Sequence, residues 1–212
     1  MSEMSSHPII DVSRLPQSAF GSRAPLWWGN TLLLFIETTM FALLAATYFY
    51  LRMDFGQWPP VQSNSIPPIE HPLPDLPLPS IILALQFAGC VTVAVAHRAA
   101  LKMNGSLVRA GIALSLLLGI ISIVLRFYEF PGLHFRWDDN AYGSITWMIL
   151  GMHLFHLLAL NGELAVVASY VFTHPLNEKK ALDVSLTAIY WYWVAGMWVI
   201  FYLIVYWSPR WY

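Results

Sequence analysis

Residues 145–172 read ITWMILGMHLFHLLALNGELAVVASYVF, and this stretch decides the fold class. It contains no lysine or arginine, and its only histidine or acidic side chains are His153, His156 and Glu163. The hydrocarbon core of a bilayer is about 30 Å thick and needs roughly 20 helical residues to cross it. In lipid a helix satisfies its own backbone hydrogen bonds, whereas an open strand does not. The stretch therefore predicts a membrane-spanning helix.

Four further apolar segments lie around it, so that the sequence predicts five spans in all. Hydrophobic residues make up 58% of the chain and charged residues 11%, against about 25% charged in an ordinary globular domain. Segments of alternating polarity, which a membrane barrel would need, are absent from the sequence. We therefore expect an all-α membrane protein, a bundle of five transmembrane helices. The predicted spans are 27–51, 78–97, 107–128, 145–172 and 184–207.

The segments outside the spans are short, and their lysines and arginines predict the orientation. Residues 1–26 are polar and contain three prolines, which predicts a soluble tail rather than a cleaved signal peptide. Residues 56–79 form a proline-rich external loop, and residues 208–212 a carboxyl-terminal tail. The amino terminus and the even-numbered loops hold seven of the 11 basic residues, so the positive-inside rule favours a cytoplasmic amino terminus and an external carboxyl terminus. The seven are Arg14, Arg23, Arg98, Lys102, Arg109, Lys179 and Lys180; Arg52, Arg126, Arg136 and Arg210 lie on the other side.

Composition and motifs exclude several classes of function. The formal net charge of −1 argues against a nucleic-acid partner. With Cys90 as the single cysteine, neither a disulfide framework nor a cysteine-based metal site can form within the chain. The sequence has no phosphate-binding loop, nucleophile elbow or HExxH zinc motif. We therefore expect no catalytic, cofactor-binding or metal-binding residues, and no enzyme activity of the chain by itself.

Glu37 is the first polar side chain expected at membrane depth. At 3.6 residues per turn it shares one helical face with Asn30 and Tyr48. Polar groups in hydrocarbon are expensive and usually face protein, water or a partner. Glu37 is either a proton-relay or lipid-linked carboxylate, or a protonated acid that is hydrogen-bonded between helices.

The fourth span carries His153, His156 and Glu163 on one face. His153 and His156 lie one turn apart and could share an ion, but Glu163 is about 15 Å from His153 along the axis, so the three cannot form one site. Hydrogen bonding to neighbouring helices is favoured over metal or haem ligation.

Arg126 and Glu129 lie at the external end of the third span. Their spacing of three predicts an ion pair at the end of a helix. The alternative is two separate interfacial anchors, with Arg126 extending its side chain to the interface.

The last span is aromatic on most sides and has small residues that allow close approach. This composition predicts packing against another large membrane subunit, the alternative being lipid-facing bulk with an aromatic belt at each end. The residues concerned are Trp191, Tyr192, Ala195, Gly196 and Trp198.

Four motifs together resemble subunit III of the haem–copper terminal oxidases, in its short five-helix bacterial form. They are Trp28–Gly29 through Phe35–Ile36–Glu37, Arg126–Phe127–Tyr128–Glu129, Gly151–Met152–His153–Leu154–Phe155–His156, and Trp191–Tyr192–Trp193–Val194 with Trp198. The third resembles the family's G-x-H-x-x-H helix and is the most specific match. Order and spacing hold from about Trp27 to Trp207. In the last helix Tyr192 and Ala195 replace the family's His and Asp, and Glu163 is an addition.

The resemblance implies an accessory subunit without redox centres in aerobic electron transport. Such a subunit packs beside subunits I and II, which hold haem and copper, binds phospholipid, and supports proton uptake. It implies a multi-pass protein of the bacterial inner membrane, in a cytochrome c or quinol oxidase that could join other respiratory complexes. Two alternatives stay open: an accessory subunit of a nitric oxide reductase, and a self-sufficient proton or ion transporter built around Glu37 and His153.

Overall fold

Five long helices make up most of the chain that the structure describes. The computed structural model describes residues 24–61 and 72–211, and in these ranges it contains no strand. Each helix is long and apolar enough to cross a membrane. This confirms the predicted all-α architecture of five spans and defines a multi-pass membrane protein. The helices are α1 (Pro25–Met53), α2 (Pro77–Leu101), α3 (Gly105–Glu129), α4 (Ala141–Thr173) and α5 (Glu178–Tyr202).

Each helix begins before its predicted span, because the asparagine or proline at its start lies outside the apolar run. Asparagine side chains cap α3, α4 and α5 by accepting hydrogen bonds from backbone N–H groups. Proline occupies the first turn of α1 and α2, where its missing N–H costs nothing. After α5 the chain continues as a π-helix (Leu203–Trp207) and a 3₁₀ turn (Ser208–Arg210).

The predicted tails and loop lie partly outside the described residues. Of the amino-terminal tail only residues 24–26 are described, and Pro25 already belongs to α1. Of the proline-rich loop, residues 62–71 are outside, and Pro77 already begins α2.

Four of the helices form a ring, and α1 lies outside it. Helix α2 packs on α3, α3 on α4, α4 on α5, and α5 closes the ring on α2. Helix α1 contacts α4 and α5 at their seam. The most apolar window of α1 is 11% buried and that of α5 is 56% buried, which makes α5 the central helix and α1 the peripheral one.

Glycines set the closest approaches inside the ring. A Cβ atom on Gly111 of α3 would lie 2.8 Å from the Cβ atom of Ala96 on α2. A Cβ atom on Gly89 of α2 would overlap the indole ring of Trp191 on α5. Small residues at such positions let membrane helices gain van der Waals contact that apolar burial alone does not supply in lipid.

Candidate functional site

Arg126 and Glu129 form a buried ion pair at the carboxyl end of α3. Arg126 Nη1 donates to Glu129 Oε2 at 2.6 Å, and the two side chains are 0% and 4% exposed. The hydroxyl of Tyr206 donates to the second carboxylate oxygen of Glu129. The expectation that Arg126 extends to the interface is wrong, because the carboxylate one turn away and the surrounding aromatic rings hold the guanidinium inside the bundle.

The same guanidinium contacts α4 and α5. Its central carbon lies 3.8 Å from the ring centre of Trp198, a cation–π contact. Its Nη2 donates to Nδ1 of His153 at 3.3 Å. Since an arginine can only donate, His153 accepts at Nδ1 and carries its proton on Nε2, which faces the carbonyl oxygen of Val194 at 3.4 Å. Arg126 therefore connects three helices.

Glu37 pairs with His156 across the seam between α1 and α4. His156 Nε2 lies 3.0 Å from Glu37 Oε2. The other ring nitrogen, Nδ1, donates to the backbone oxygen of Met152 at 2.8 Å. His156 Nε2 therefore either accepts from a protonated Glu37 or donates to its carboxylate, and in both cases the pair is neutral overall. Glu37 is 22% exposed, so this pair lies at the edge of the bundle.

Glu163 bonds to a third partner. Its Oε1 accepts from the hydroxyl of Thr187 on α5 at 2.6 Å. His153, His156 and Glu163 thus contact three different helices and do not converge on one point. Among the described residues no group of three or more His, Cys, Asp or Glu side chains could hold a metal ion.

The predicted stripe on α1 divides into three environments. Tyr48 is fully buried, and its hydroxyl accepts from Trp58 Nε1 at 3.0 Å. Asn30 is half-buried, and its Nδ2 has no hydrogen-bond partner within the described chain. Glu37 faces His156 between them. The shared helical face is real, but the three side chains do not form one network.

The five residues of α5 that were predicted to pack against another subunit lie in two environments. Trp191 and Trp198 are fully buried inside this chain, and Ala195 is 2% exposed. Tyr192 and Gly196 are exposed on the outer side of α5. Only these two residues of the predicted subunit-packing set are open to a neighbour.

Several contacts between helices were not predicted from the sequence. The hydroxyl of Tyr206, near the end of the last predicted span, donates to Glu129. Trp191 Nε1 donates to the backbone oxygen of Gln86 at 3.1 Å, and Ser80 bonds to Tyr202 at 2.7 Å. The available signal was the polar tip of each aromatic ring, which seeks a partner when buried, but the partner itself depends on which helices are neighbours.

The bond between Thr187 and Glu163 gives a direct test of interhelical hydrogen bonding. Thr187→Val removes the donor to Glu163 and keeps the shape of the side chain. We expect the free energy of unfolding of the purified chain in detergent micelles to fall by about 0.6 kcal/mol, the average for such bonds in membranes. Thr47→Val is the matched control, since Thr47 is exposed and, within the described residues, its hydroxyl bonds only to Leu43 of its own helix. Equal losses for both variants would contradict the assignment.

The fold and the site define a class, a multi-pass helical membrane protein. Most of its buried polar groups form hydrogen bonds or ion pairs that hold the helices together. Comparison with known proteins gives the family. The chain matches the profile of cytochrome c oxidase subunit III over residues 16–210, and it belongs to that family. It is 28% identical over 187 residues to cytochrome c oxidase subunit 3 of Drosophila yakuba, covering 86% of this chain and 69% of the relative. It is 31% identical over 182 residues to the protein of that name from Candida parapsilosis, covering 82% and 65%.

Proposed function

We propose that this chain is the accessory, non-redox subunit III of a haem–copper terminal oxidase in aerobic electron transport. The observation that carries the proposal is the family match over residues 16–210. The geometry agrees with it: the paired groups at membrane depth, Arg126 with Glu129 and Glu37 with His156, bind each other.

The proposal includes partners and location. Haem and copper reside on subunits I and II, against which this chain packs, and phospholipid binds among its helices. The chain contributes support of the catalytic subunit and of proton uptake. It resides in the inner membrane of a bacterial cell with its amino terminus in the cytoplasm, an orientation supported by the seven basic residues on that side.

Purification of the affinity-tagged chain from membranes in mild detergent tests the proposal. We expect it to bring down a complex that contains haem a and copper, in a fixed ratio to the tagged chain. A complex with the haem spectrum of a nitric oxide reductase would replace the proposed partner. A stable lone chain that moves ions across liposomes would overturn the proposal.

Replacement of Glu37 separates an accessory role from a redox role. Glu37→Ala removes the partner of His156, and we expect weaker retention of the chain in the complex while electron transfer through the haems continues. The measurement is the haem reduction rate of the purified complex beside the amount of this chain per haem. Thr39→Ala is the control, because Thr39 is exposed and the one side-chain bond it makes in the described part of the chain is to Ile36 of its own helix. Complete loss of haem reduction in Glu37→Ala complexes would count against the accessory role.

A further inference from the structure

The outer side of α5 forms the floor of a groove. Helix α5 is covered by α1, α2 and α4, and α1 packs at the α4–α5 seam, so one side of α5 stays open between α1 and α2 in the described part of the chain. The residues on this side recur at helical spacing and are exposed or half-exposed. They are Ser185, Ile189, Tyr192, Gly196 and Ile200 of α5, and Leu203 of the following π-helix continues the same side.

Two observations show that the groove has room for another helix. Apart from the chain neighbours and helix backbone of Gly196, no atom of the described residues lies within 4 Å of the position that its Cβ atom would occupy, so a neighbouring backbone can approach α5 closely there. At the amino-terminal end of α5 the groove widens into a cavity of about 450 Å³, lined among others by Trp27 of α1, His97 of α2 and Ser185 of α5.

Tyr192 indicates what occupies the groove. It lies about 21 Å along the axis from Glu178, near the middle of the last span. Its side chain is 39% exposed, and within the described residues its hydroxyl makes no hydrogen bond. Lipid tails offer neither donor nor acceptor at this depth, whereas a second helix can offer a polar side chain. The hydroxyl of Tyr192, unpaired among the described residues, therefore favours a protein helix, rather than lipid tails, as the neighbour of this side of α5.

We propose that this groove binds one transmembrane helix of a neighbouring polypeptide, which approaches α5 at Gly196 and hydrogen-bonds to the hydroxyl of Tyr192. The inference rests on the proposed function, in that the neighbour is the haem-bearing subunit of the oxidase. The neighbouring helix therefore contacts α5 between α1 and α2, and not the outer face of α4. That face has an equally open glycine, Gly162, but the exposed side chains beside it, Leu158 and Val166, are apolar and suit lipid tails.

Matched variants of the intact complex test the groove. Gly196→Leu fills the open space and Tyr192→Phe removes only the hydroxyl. Gly162→Leu and Tyr128→Phe are their controls, a glycine with equal space and a tyrosine that is 69% exposed. The measurement is the rate at which the chain dissociates from the haem-bearing subunit in detergent. We expect Tyr192→Phe to raise that rate about three- to tenfold, Gly196→Leu to raise it further, and the controls to leave it unchanged. A larger effect of Gly162→Leu than of Gly196→Leu would overturn the assignment.

Photocrosslinking identifies the occupant and remains informative if a variant assembles poorly. A benzophenone amino acid at position 196 of the full chain in its membrane should crosslink to a transmembrane segment of the haem-bearing subunit, and the same probe at position 162 should crosslink to lipid. Crosslinks at position 196 to lipid alone, or to a second copy of this chain, would overturn the proposal. A crosslink to a membrane protein without haem would support the groove while contradicting the proposed function.

Discussion

Arg126→Leu is expected to lower the free energy of unfolding of this chain by about 3–5 kcal/mol, the cost of leaving one partner of a buried ion pair uncompensated. Glu129 is 4% exposed, and among the described residues its carboxylate would keep only the hydroxyl of Tyr206 as a partner. Water has little access to restore the lost hydration, because Tyr206, which bonds to the carboxylate, is fully buried. The measurement is tryptophan fluorescence of the purified chain in mixed micelles of rising denaturing-detergent content.

A double variant isolates the pair itself. Arg126→Leu combined with Glu129→Leu removes both charges, and we expect it to lose less stability than Arg126→Leu alone, since apolar replacement of a whole buried pair is often neutral or stabilising. Arg136→Leu is the matched control: Arg136 is 72% exposed and pairs with Asp138 at the surface, where such pairs contribute about 0–1 kcal/mol. Glu129→Leu alone completes the comparison: if its loss and that of Arg126→Leu add up in the double variant, Arg126 and Glu129 do not act as a pair.

The five helices could be predicted from the sequence because each span depends only on the residues within it. Twenty consecutive apolar residues must form a helix in lipid, whatever lies beside them. Asn104, Asn140 and Asn177 cap three of the helices just outside the apolar windows, which is why the predicted spans are shorter than the helices. Arg126 and Glu129 lie three residues apart in the sequence, and the ion pair that this spacing predicted is present.

The partners of the polar groups depend on which helices are neighbours, and no periodicity contains that information. His153 and His156 share one face of α4, yet one contacts Arg126 of α3 and the other Glu37 of α1. The position of Arg126 near the end of its span suggested that its side chain extends to the membrane surface. Instead the guanidinium stays inside the bundle, where it contacts Trp198 and His153. The burial of Trp191 and Trp198 likewise follows from the central place of α5 in the ring, which only the assembled fold reveals.

Trp191→Ala is expected to cost about 3–5 kcal/mol of unfolding free energy, the range for truncation of a large buried aromatic side chain. Trp191 is 0% exposed, packs against Gly89 of α2 and bonds to the backbone oxygen of Gln86. Trp28→Ala is the matched control, since Trp28 is 55% exposed on α1, and we expect a loss well under 1 kcal/mol because surface substitutions usually change stability little.

The contact with Gly89 makes the two positions interdependent. Gly89→Ala alone places a methyl group in the space of the Trp191 ring, and overpacking of this kind costs about 1–3 kcal/mol. In the Trp191→Ala background that space is empty, so the same methyl group meets no ring and gains the helix propensity of alanine over glycine, about 0.8–1 kcal/mol. The double variant should therefore be at least as stable as Trp191→Ala, although each single variant is destabilised. If the two losses instead add, the ring of Trp191 does not lie against Gly89, and the close packing of α2 on α5 assigned to this pair is incorrect.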